Sequence, residues 1–213
     1  MKPGFTQPAQ GGHGVWAAID QIAQPEEPIP GSIEVDGAER IGQQSKFAMD
    51  VADNDIVICV QGDEPLLGPD VIEAVMAPFS DDDVKGTMLA VPIRDEETFN
   101  NPDMVKLVHD LNGNVLYTSR SPVPYMKTFD PDGGAKRVGG IFGFRWHFLR
   151  WFTETPESPL EKAEACDSNR ICDNGFFQRI APMTFRPYQS VDSYEDVARV
   201  EAALPNDPLW GTY

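Results

Sequence analysis

The sequence has few basic residues compared with acidic ones, and this shortage excludes whole classes of function. Its 213 residues include 17 lysines and arginines against 34 aspartates and glutamates, which gives a formal net charge of −17. General nucleic-acid binding and docking on an anionic membrane both need clustered cations, so the composition argues against them. One small anionic ligand is still compatible with it, because a few local cations or a metal ion can overcome the overall field.

Cysteines and long apolar runs are also scarce. The three cysteines, Cys59, Cys166 and Cys172, form no Cys-x-x-Cys pair, which argues against a disulfide framework or a structural zinc site. No apolar stretch approaches the roughly 20 residues of a membrane span, and nothing resembles a signal peptide. We therefore expect a cytoplasmic protein in a reducing compartment.

The first 36 residues differ in composition from the rest of the chain. They contain five prolines and five glycines, which predicts an irregular segment broken by one short helix over 15–23. Over the whole chain, 41% hydrophobic and 24% charged residues are ordinary for a globular protein. We therefore divide the chain into an irregular segment, 1–36, and a domain, 37–213.

Strand and helix signals alternate along this domain. The apolar, β-branched run 55–60 predicts a strand buried on both faces, as in a parallel sheet. Asn112-Gly113 predicts a hairpin between neighbouring strands, and the aromatic segment 146–152 predicts packing in the core or at a subunit interface. Together these signals predict an α/β fold with a mainly parallel twisted sheet, flanking helices and a small hairpin-bearing subdomain. Further strands are predicted over 87–93, 105–108, 114–118 and 138–144, and helices over 69–78, 159–173 and 193–204.

The segment 61–65, QGDEP, follows the predicted buried strand and delivers polar side chains to its carboxyl end. Ligands of open α/β sheets bind at such ends. The carboxylate of Asp63 could hold Mg²⁺, which prefers one or two protein carboxylates together with substrate phosphates. The alternative interpretation is an ordinary polar loop between a strand and a helix.

Asp192 is a second candidate metal ligand, with a similar alternative. It stands just before the last predicted helix, where an acidic residue usually acts as a cap. If Asp63 and Asp192 meet over one ion, they would form a site that handles phosphate.

Six motifs then occur in order, and together they carry a family resemblance. They are QGDEP (61–65), NPDMVK (101–106), LYTSRSPVPY (116–125), GGIFGFR (139–145), SPLE (158–161) and VDSYEDVARV (191–200). On these motifs the sequence resembles the 3-deoxy-manno-octulosonate (Kdo) cytidylyltransferases, also called CMP-Kdo synthetases.

The resemblance implies a nucleotide-diphospho-sugar transferase-like fold and a reaction. In that reaction CMP is transferred from CTP to an acid sugar, Kdo or a relative, with release of pyrophosphate, for bacterial surface polysaccharide such as lipopolysaccharide. It also implies a homodimer and Mg²⁺ held by Asp63 and Asp192 as the catalytic acids. The other roles that it implies are contact with the sugar by Gln61, Arg120, Asp167 and Ser168, and contact with the cytidine by Gly37 and Arg40.

The sequence also departs from the family pattern. It has no PARxxSxRLPGKPL motif, the loop whose Arg and Lys hold the CTP phosphates, so we expect a member that is incomplete or rearranged at the amino terminus, or a loop supplied by another chain. Val138, Phe142 and Ser168 replace hydrogen-bonding residues around the sugar, which predicts weaker binding of the usual sugar. Two alternatives stay open: a non-catalytic homologue that binds a sugar, a nucleotide or a partner subunit, and an acylneuraminate-type cytidylyltransferase.

Overall fold

The computed structural model describes residues 15–19, of which only the backbone is considered, 51–185, 190–191, 194–207 and 210. The strands in these ranges are β1 (Val15–Ile19), β2 (Ile56–Val60), β3 (Gly86–Pro92), β4 (Lys106–His109), β5 (Val115–Ser119), β6 (Lys136–Arg145) and β7 (Arg179–Pro182). The helices are α1 (Pro69–Met76), α2 (Glu96–Asn100), α3 (Trp146–Glu154), α4 (Pro159–Glu164), α5 (Asn169–Asp173) and α6 (Tyr194–Ala203). Short 3-10 helices follow α1 and α6, over Ala77–Ser80 and Leu204–Asn206.

The described strands form one mixed sheet in the order β1-β2-β6-β3-β7, and β4 joins β5 to the side of β6. β1 is parallel to β2 and β7 is parallel to β3, whereas β6 is antiparallel to both of its main neighbours. The α/β fold with flanking helices is as predicted, but the sheet is mixed rather than mainly parallel. A strand that is buried on both faces has an apolar sequence whether its neighbours are parallel or antiparallel. The apolar run of β2 therefore could not predict that the antiparallel strand β6 lies between β2 and β3.

The core lies on both faces of β2. Ile56 and Ile58 pack with the apolar face of α1, whereas Val57 and Cys59 pack on the opposite face with the aromatic side chains of α3. All four side chains are at most 9% exposed. The sequence predictions of a doubly buried strand and of core packing for the aromatic segment are both confirmed.

Two glycines allow β6 to pack closely in the middle of the sheet. A Cβ atom on Gly139 would lie 2.5 Å from Cδ2 of Leu89, and one on Gly143 would lie 2.6 Å from Oγ1 of Thr87 and 3.0 Å from Cγ1 of Val75. Any side chain at Gly143 would therefore push α1 away from the sheet.

The predicted hairpin is confirmed by the antiparallel pairing of β4 with β5. Gly113 has a φ of +81°, and the carboxylate of Asp110 accepts the backbone N–H groups of Asn112 and Asn114. These hydrogen bonds, the one from Asn114 above all, lower the pKa of Asp110 because they favour its charged form.

Residues 15–19 correct one prediction. Instead of beginning a helix over 15–23, Val15–Ile19 form a strand whose pairing with β2 runs from Val15 opposite Ile56 to Ile19 opposite Val60. The surrounding prolines and glycines do not indicate that this segment can pair with β2, which is distant in sequence. The remainder of that predicted helix and the 36/37 boundary lie outside the described residues.

The helix predicted over 159–173 is divided in two. Its capping box is present as predicted, with the Ser158 hydroxyl accepting from the Glu161 N–H and the Glu161 carboxylate accepting from the Ser158 N–H. However, Ala165 adopts a left-handed conformation with a φ of +49°, which ends α4, and α5 begins only at Asn169. Since alanine is a strong helix former, this break is imposed by tertiary contacts, which are described below.

Candidate functional site

The carboxyl ends of four strands meet at one edge of the sheet. Both β2 and β3 are antiparallel to the β6 strand between them, so they run in the same direction. The outer strands share this direction, because β1 is parallel to β2 and β7 is parallel to β3. We call residues 61–64, which follow β2 at this edge, the Asp63 turn. Ligands of α/β sheets bind at such an edge, so the fold puts the predicted Asp63 turn where a site is expected.

The Asp63 turn is closed by a hydrogen bond from the Glu64 N–H to the Gln61 carbonyl at 3.3 Å. The Asp63 carbonyl accepts a hydrogen bond from the N–H of Val191 at 2.9 Å. The segment near the carboxyl end that contains Val191 is therefore held against this turn, although 128 positions separate the two residues. Asp192, the second predicted metal ligand, lies outside the described residues, as do Gly37 and Arg40.

Gly140 provides the surface on which two side chains of the Asp63 turn lie. It has a φ of +75° beside a register shift between β6 and β3, and a Cβ atom on it would lie 2.7 Å from Oε1 of Gln61 and 3.3 Å from Oε1 of Glu64. Both conditions favour glycine, since an L side chain would be strained and would also collide with Gln61. Gln61 is exposed, whereas Asp63 and Glu64 are half-buried.

A second group of predicted site residues lies at the break between α4 and α5. We call residues 165–168 the Asp167 turn. Asp167 is exposed and its carbonyl accepts from the Arg170 N–H at 2.9 Å, while the half-buried Ser168 accepts through its own carbonyl from Ile171 at 3.1 Å. The side chains of both predicted sugar-binding residues thus belong to a turn whose backbone starts α5.

Arg120, predicted from the resemblance to contact the sugar, donates hydrogen bonds from all three guanidinium nitrogens to backbone carbonyls. Nε donates to Glu164 at 3.1 Å, Nη2 to Ala165 at 3.2 Å and Nη1 to Pro102 at 3.1 Å. Arg120 therefore belongs to the same group as the Asp167 turn.

Lys106 contacts the backbone of Arg120 and is completely buried. Its Nζ donates to the carbonyl of Asn101 at 2.7 Å and to that of Arg120 at 2.6 Å. Burial, and then the positive charge of Arg120, lower the pKa of Lys106. Burial also raises the pKa of the nearby Cys166 thiol, which keeps it in the unreactive neutral form.

Asn169 fixes the other side of this group. Its Oδ1 accepts from the N–H of Thr118 at 2.8 Å and its Nδ2 donates to the carbonyl of Thr118 at 2.9 Å. The carboxamide thereby satisfies both backbone groups of one residue of β5 and ties α5 to this strand.

Val138 and Phe142, which replace polar residues of the family pattern, are half-buried in an apolar cluster. The cluster contains buried side chains from four neighbouring strands. Because its members are apolar, this part of β6 offers packing surface and few hydrogen bonds. Its other members are Met88, Ala90, Leu107, Val115 and Ile180.

The donor set suits a hard cation that is shared with phosphates. Among the residues that the structure describes, no three His, Cys, Asp or Glu side chains are grouped so that they could hold a metal ion by themselves. Mg²⁺ commonly takes only one or two protein carboxylates beside substrate phosphates, and the half-buried Asp63 at the carboxyl edge provides one.

No helix within the described ranges is long and apolar enough to cross a membrane.

Several residues of these groups were missed by sequence reasoning. Lys106 ends the NPDMVK motif, where a charge in an apolar strand could have suggested a buried role. The roles of Gly140, Glu164 and Asn169 were not predicted, because they depend on residues that are 44 or more positions away.

Comparison with known proteins shows the family of this chain. A cytidylyltransferase family model matches residues 31–181, which include the Asp63 turn, the Asp167 turn and Arg120 and end before Asp192. The 3-deoxy-manno-octulosonate cytidylyltransferase of Nitratidesulfovibrio vulgaris strain DP4 is 37% identical over 76% of this chain, and the chain covers 64% of that protein.

Two further comparisons point the same way. The 3-deoxy-manno-octulosonate cytidylyltransferase of Chloroherpeton thalassium is also 37% identical, over 79% of this chain and 68% of that protein. A solved structure of CMP:2-keto-3-deoxy-manno-octonic acid synthetase complexed with CTP superposes with a TM-score of 0.70 at 26% identity, covering 79% of this chain and 68% of the other. The chain therefore belongs to the cytidylyltransferase family, in which its relatives are 3-deoxy-manno-octulosonate cytidylyltransferases.

Proposed function

We propose that this protein transfers CMP from CTP to Kdo or a closely related acid sugar in a Mg²⁺-dependent reaction that releases pyrophosphate. The observation that carries the proposal is the Asp63 turn, which lies at the carboxyl edge of the sheet within the residues matched by the cytidylyltransferase model. Relatives with 37% identity carry the name of this activity, and a similar solved structure holds CTP. The chain covers 64% of the length of the first relative, so the activity is proposed from part of the family pattern.

In this reaction the anomeric hydroxyl oxygen of the sugar forms a bond to the α-phosphorus of CTP. The bond from that phosphorus to the bridging oxygen of pyrophosphate breaks, and the hydroxyl proton is lost to solvent or to a base. Bound Mg²⁺ would stabilise the negative charge that develops on the phosphates. Because phosphoryl transfer asks little covalent chemistry of the protein, the residues mainly orient the two reactants.

We assign the residues to three tasks. Asp63, together with Asp192, would hold the metal ion through hard carboxylate oxygens. Gln61, held over Gly140, would orient the sugar or a water molecule beside it. Asp167, Ser168 and Arg120 would form the sugar side of the site, and Gly37 and Arg40 the cytidine side.

The cellular setting and the assembly are part of the proposal. We propose that the product supplies bacterial surface polysaccharide such as lipopolysaccharide, that the reaction takes place in the cytoplasm, and that the chain acts as a homodimer. Sedimentation velocity of the full chain measures the last of these, and a single species with the mass of one chain would contradict it.

The test is a pyrophosphate-release assay with CTP and Mg²⁺. Kdo and the nine-carbon N-acetylneuraminate are supplied in parallel, and release with Kdo alone is the expected result. Release with N-acetylneuraminate alone would assign the acylneuraminate reaction instead. Calorimetric binding of CTP or sugar without release from either acid would identify a non-catalytic homologue.

A further inference from the structure

We propose that Lys106, Arg120 and Glu164 form a clamp that positions the Asp167 turn, and that this clamp determines how tightly the acid sugar binds. In this assignment Arg120 is a positioning residue, which affects the sugar through the Asp167 turn. The inference rests on the proposed function, because it concerns the sugar side of the same site.

The planar fork of Arg120 joins two segments that are far apart in sequence. Two of its nitrogens donate to the carbonyls of Glu164 and Ala165, and the third donates to Pro102, which belongs to the loop before β4. Arginine suits this task because its donors point in fixed directions within one plane. A lysine could reach one of these carbonyls but could not join all three.

Glu164 fastens the same turn to the end of β5 through both carboxylate oxygens. Oε1 accepts from the Ser119 hydroxyl at 2.9 Å, and Oε2 accepts from the Arg120 N–H at 3.0 Å. The side chain of Arg120 holds the backbone of Glu164 while the side chain of Glu164 holds the backbone of Arg120. This reciprocal arrangement fixes the position and the orientation of the turn together.

Lys106 holds the backbone of the clamp residue Arg120. Its buried ammonium donates to the carbonyl of Arg120 and to that of Asn101, which neighbours the Pro102 carbonyl used by the guanidinium. Burial of a charge is costly unless it is hydrogen-bonded, and the two acceptors here are the clamp residue Arg120 and Asn101, which precedes Pro102. Lys106 thus ties β5 to the loop before β4.

The Asp167 turn needs such support because its own sequence does not favour its shape. Ala165 has a φ of +49°, a left-handed conformation that is unfavourable for residues with a side chain. Without external ties the alanine would favour continuation of α4, and Asp167 and Ser168 would move onto a helix. The clamp therefore determines which side chains the protein presents beside the sugar.

Amide hydrogen exchange of the full chain measures this positioning without any need for activity. The amides of Cys166, Asn169 and Arg170 donate to the carbonyls of Glu161, Cys166 and Asp167, respectively, so their exchange measures opening of the turn. In the R120K and S119A variants we expect their exchange to accelerate about tenfold and about threefold, respectively, because local opening becomes easier when a tie is lost. The matched control is R94K, because the wild-type Arg94 guanidinium also donates to groups distant in sequence, in this case the Pro131 carbonyl and the Asp132 carboxylate. This control should leave the three amides unchanged.

Calorimetry with Kdo and, separately, with CTP links the clamp to the sugar. We expect R120K and S119A to weaken Kdo binding about tenfold and about threefold, in parallel with exchange, because the net contribution of a hydrogen bond is of this order. CTP affinity should stay constant, because the clamp belongs to the sugar side of the site. Faster exchange without a change in Kdo affinity would limit the clamp to a structural role and overturn the proposal.

The remaining outcomes are equally decisive. Unchanged exchange in both variants would remove the clamp. Weaker Kdo binding in R120K alone, with unchanged exchange in both variants, would make Arg120 a direct sugar ligand and overturn its assignment as a positioning residue. If the wild type binds no Kdo, the proposed function fails, and the exchange data still decide whether the clamp exists.

Discussion

The Asp63 turn and the Asp167 turn hold their polar residues in different ways. The first follows a doubly buried strand, is closed by a hydrogen bond between Glu64 and Gln61, and lies against the bare backbone of Gly140. The second interrupts a helix and is held by side chains from other elements, Arg120 and Asn169 among them.

The two turns should therefore respond differently to substitution. The position of the Asp63 turn depends on the packing of β2, so single polar substitutions should alter its chemistry and leave its geometry intact. The Asp167 turn depends on ion pairs and hydrogen bonds to distant elements, so single substitutions there should change geometry and stability together.

The largest effect is expected for Asp63→Asn. An amide cannot supply the charge that a carboxylate gives to a divalent cation, so turnover should fall by about 10³-fold or more, as when a principal electrostatic group is removed. The thermal unfolding temperature should stay within about 2 °C of the wild type because the turn keeps its backbone contacts. Pyrophosphate release measures the first quantity and circular dichroism the second. The exposed Asp83→Asn variant is the control, and substantial turnover in Asp63→Asn would contradict the metal assignment.

The next effect concerns the helices that flank the Asp167 turn. Arg170 in α5 donates to both carboxylate oxygens of Glu161 in α4, at 2.9 and 2.6 Å, and the two side chains are 12% and 9% exposed. Arg170→Ala leaves a buried carboxylate without its cation, so the free energy of unfolding should fall by about 3 kcal/mol. Urea denaturation measures this change.

Helix α4, which contains Glu161, also provides a matched control for Arg170→Ala. Lys162 pairs with Glu157 at 3.4 Å, but both side chains are 62% exposed. Lys162→Ala should therefore cost less than about 0.5 kcal/mol, because water screens exposed pairs. Equal losses in the two variants would mean that burial does not distinguish the pairs.

A smaller effect on stability is expected for Gly140→Ala. Its positive φ should cost about 1–2 kcal/mol in the free energy of unfolding, since a Cβ atom is unfavourable in that region. The same cost is expected for Gly175→Ala, where φ is +78° and a Cβ atom would meet nothing within 4 Å. Only Gly140→Ala should also lower turnover, by about tenfold to 100-fold, because it displaces Gln61 from its place at the site. An equal loss of turnover in both variants would contradict this positioning of Gln61.

The smallest effect is a dependence of stability on pH. Burial opposes ionisation of Glu161, but the hydrogen bonds and charge of Arg170 outweigh it and lower the pKa of this carboxyl. Because the pKa in the folded state is below the ordinary value of about 4.3, the stabilisation is fully present above that value and is lost as the pH falls through the folded-state pKa. The difference in unfolding free energy between the wild type and Glu161→Gln should thus be constant from pH 7 to about pH 5.5 and decrease below about pH 4.3. Urea denaturation at several pH values measures it, and a difference that grows in acid would contradict the sign.

Local patterns predicted the parts of the fold whose causes are local. The apolar run of β2, the Asn-Gly hairpin and the Ser158–Glu161 capping box all follow from neighbouring residues, and the structure confirms each of them. The strand at 15–19 could not be found in this way because its hydrogen-bond partner is more than 35 residues away. Its flanking prolines and glycines predict irregular structure by themselves.

The candidate site was predictable in its residue types but only partly in its geometry. The motif order identified Gln61, Asp63, Arg120, Asp167 and Ser168, and the structure groups the last three around one turn. It also commits the Arg120 guanidinium to backbone carbonyls, which no spacing could indicate. The sequence did not assign a role to Glu164 or Lys106, since their partners come from other elements.

Short segments of the chain were enough to predict the α/β character, the doubly buried strand, the hairpin and the family, because burial patterns, turn residues and ordered motifs are properties of such segments. The folded structure was needed to show that β6 is antiparallel to its neighbours, that Ala165 divides a helix, and that Val191 is held against Asp63. These features depend on hydrogen bonds and packing between residues that are far apart in sequence. Such partners are brought together only when the whole sheet has formed.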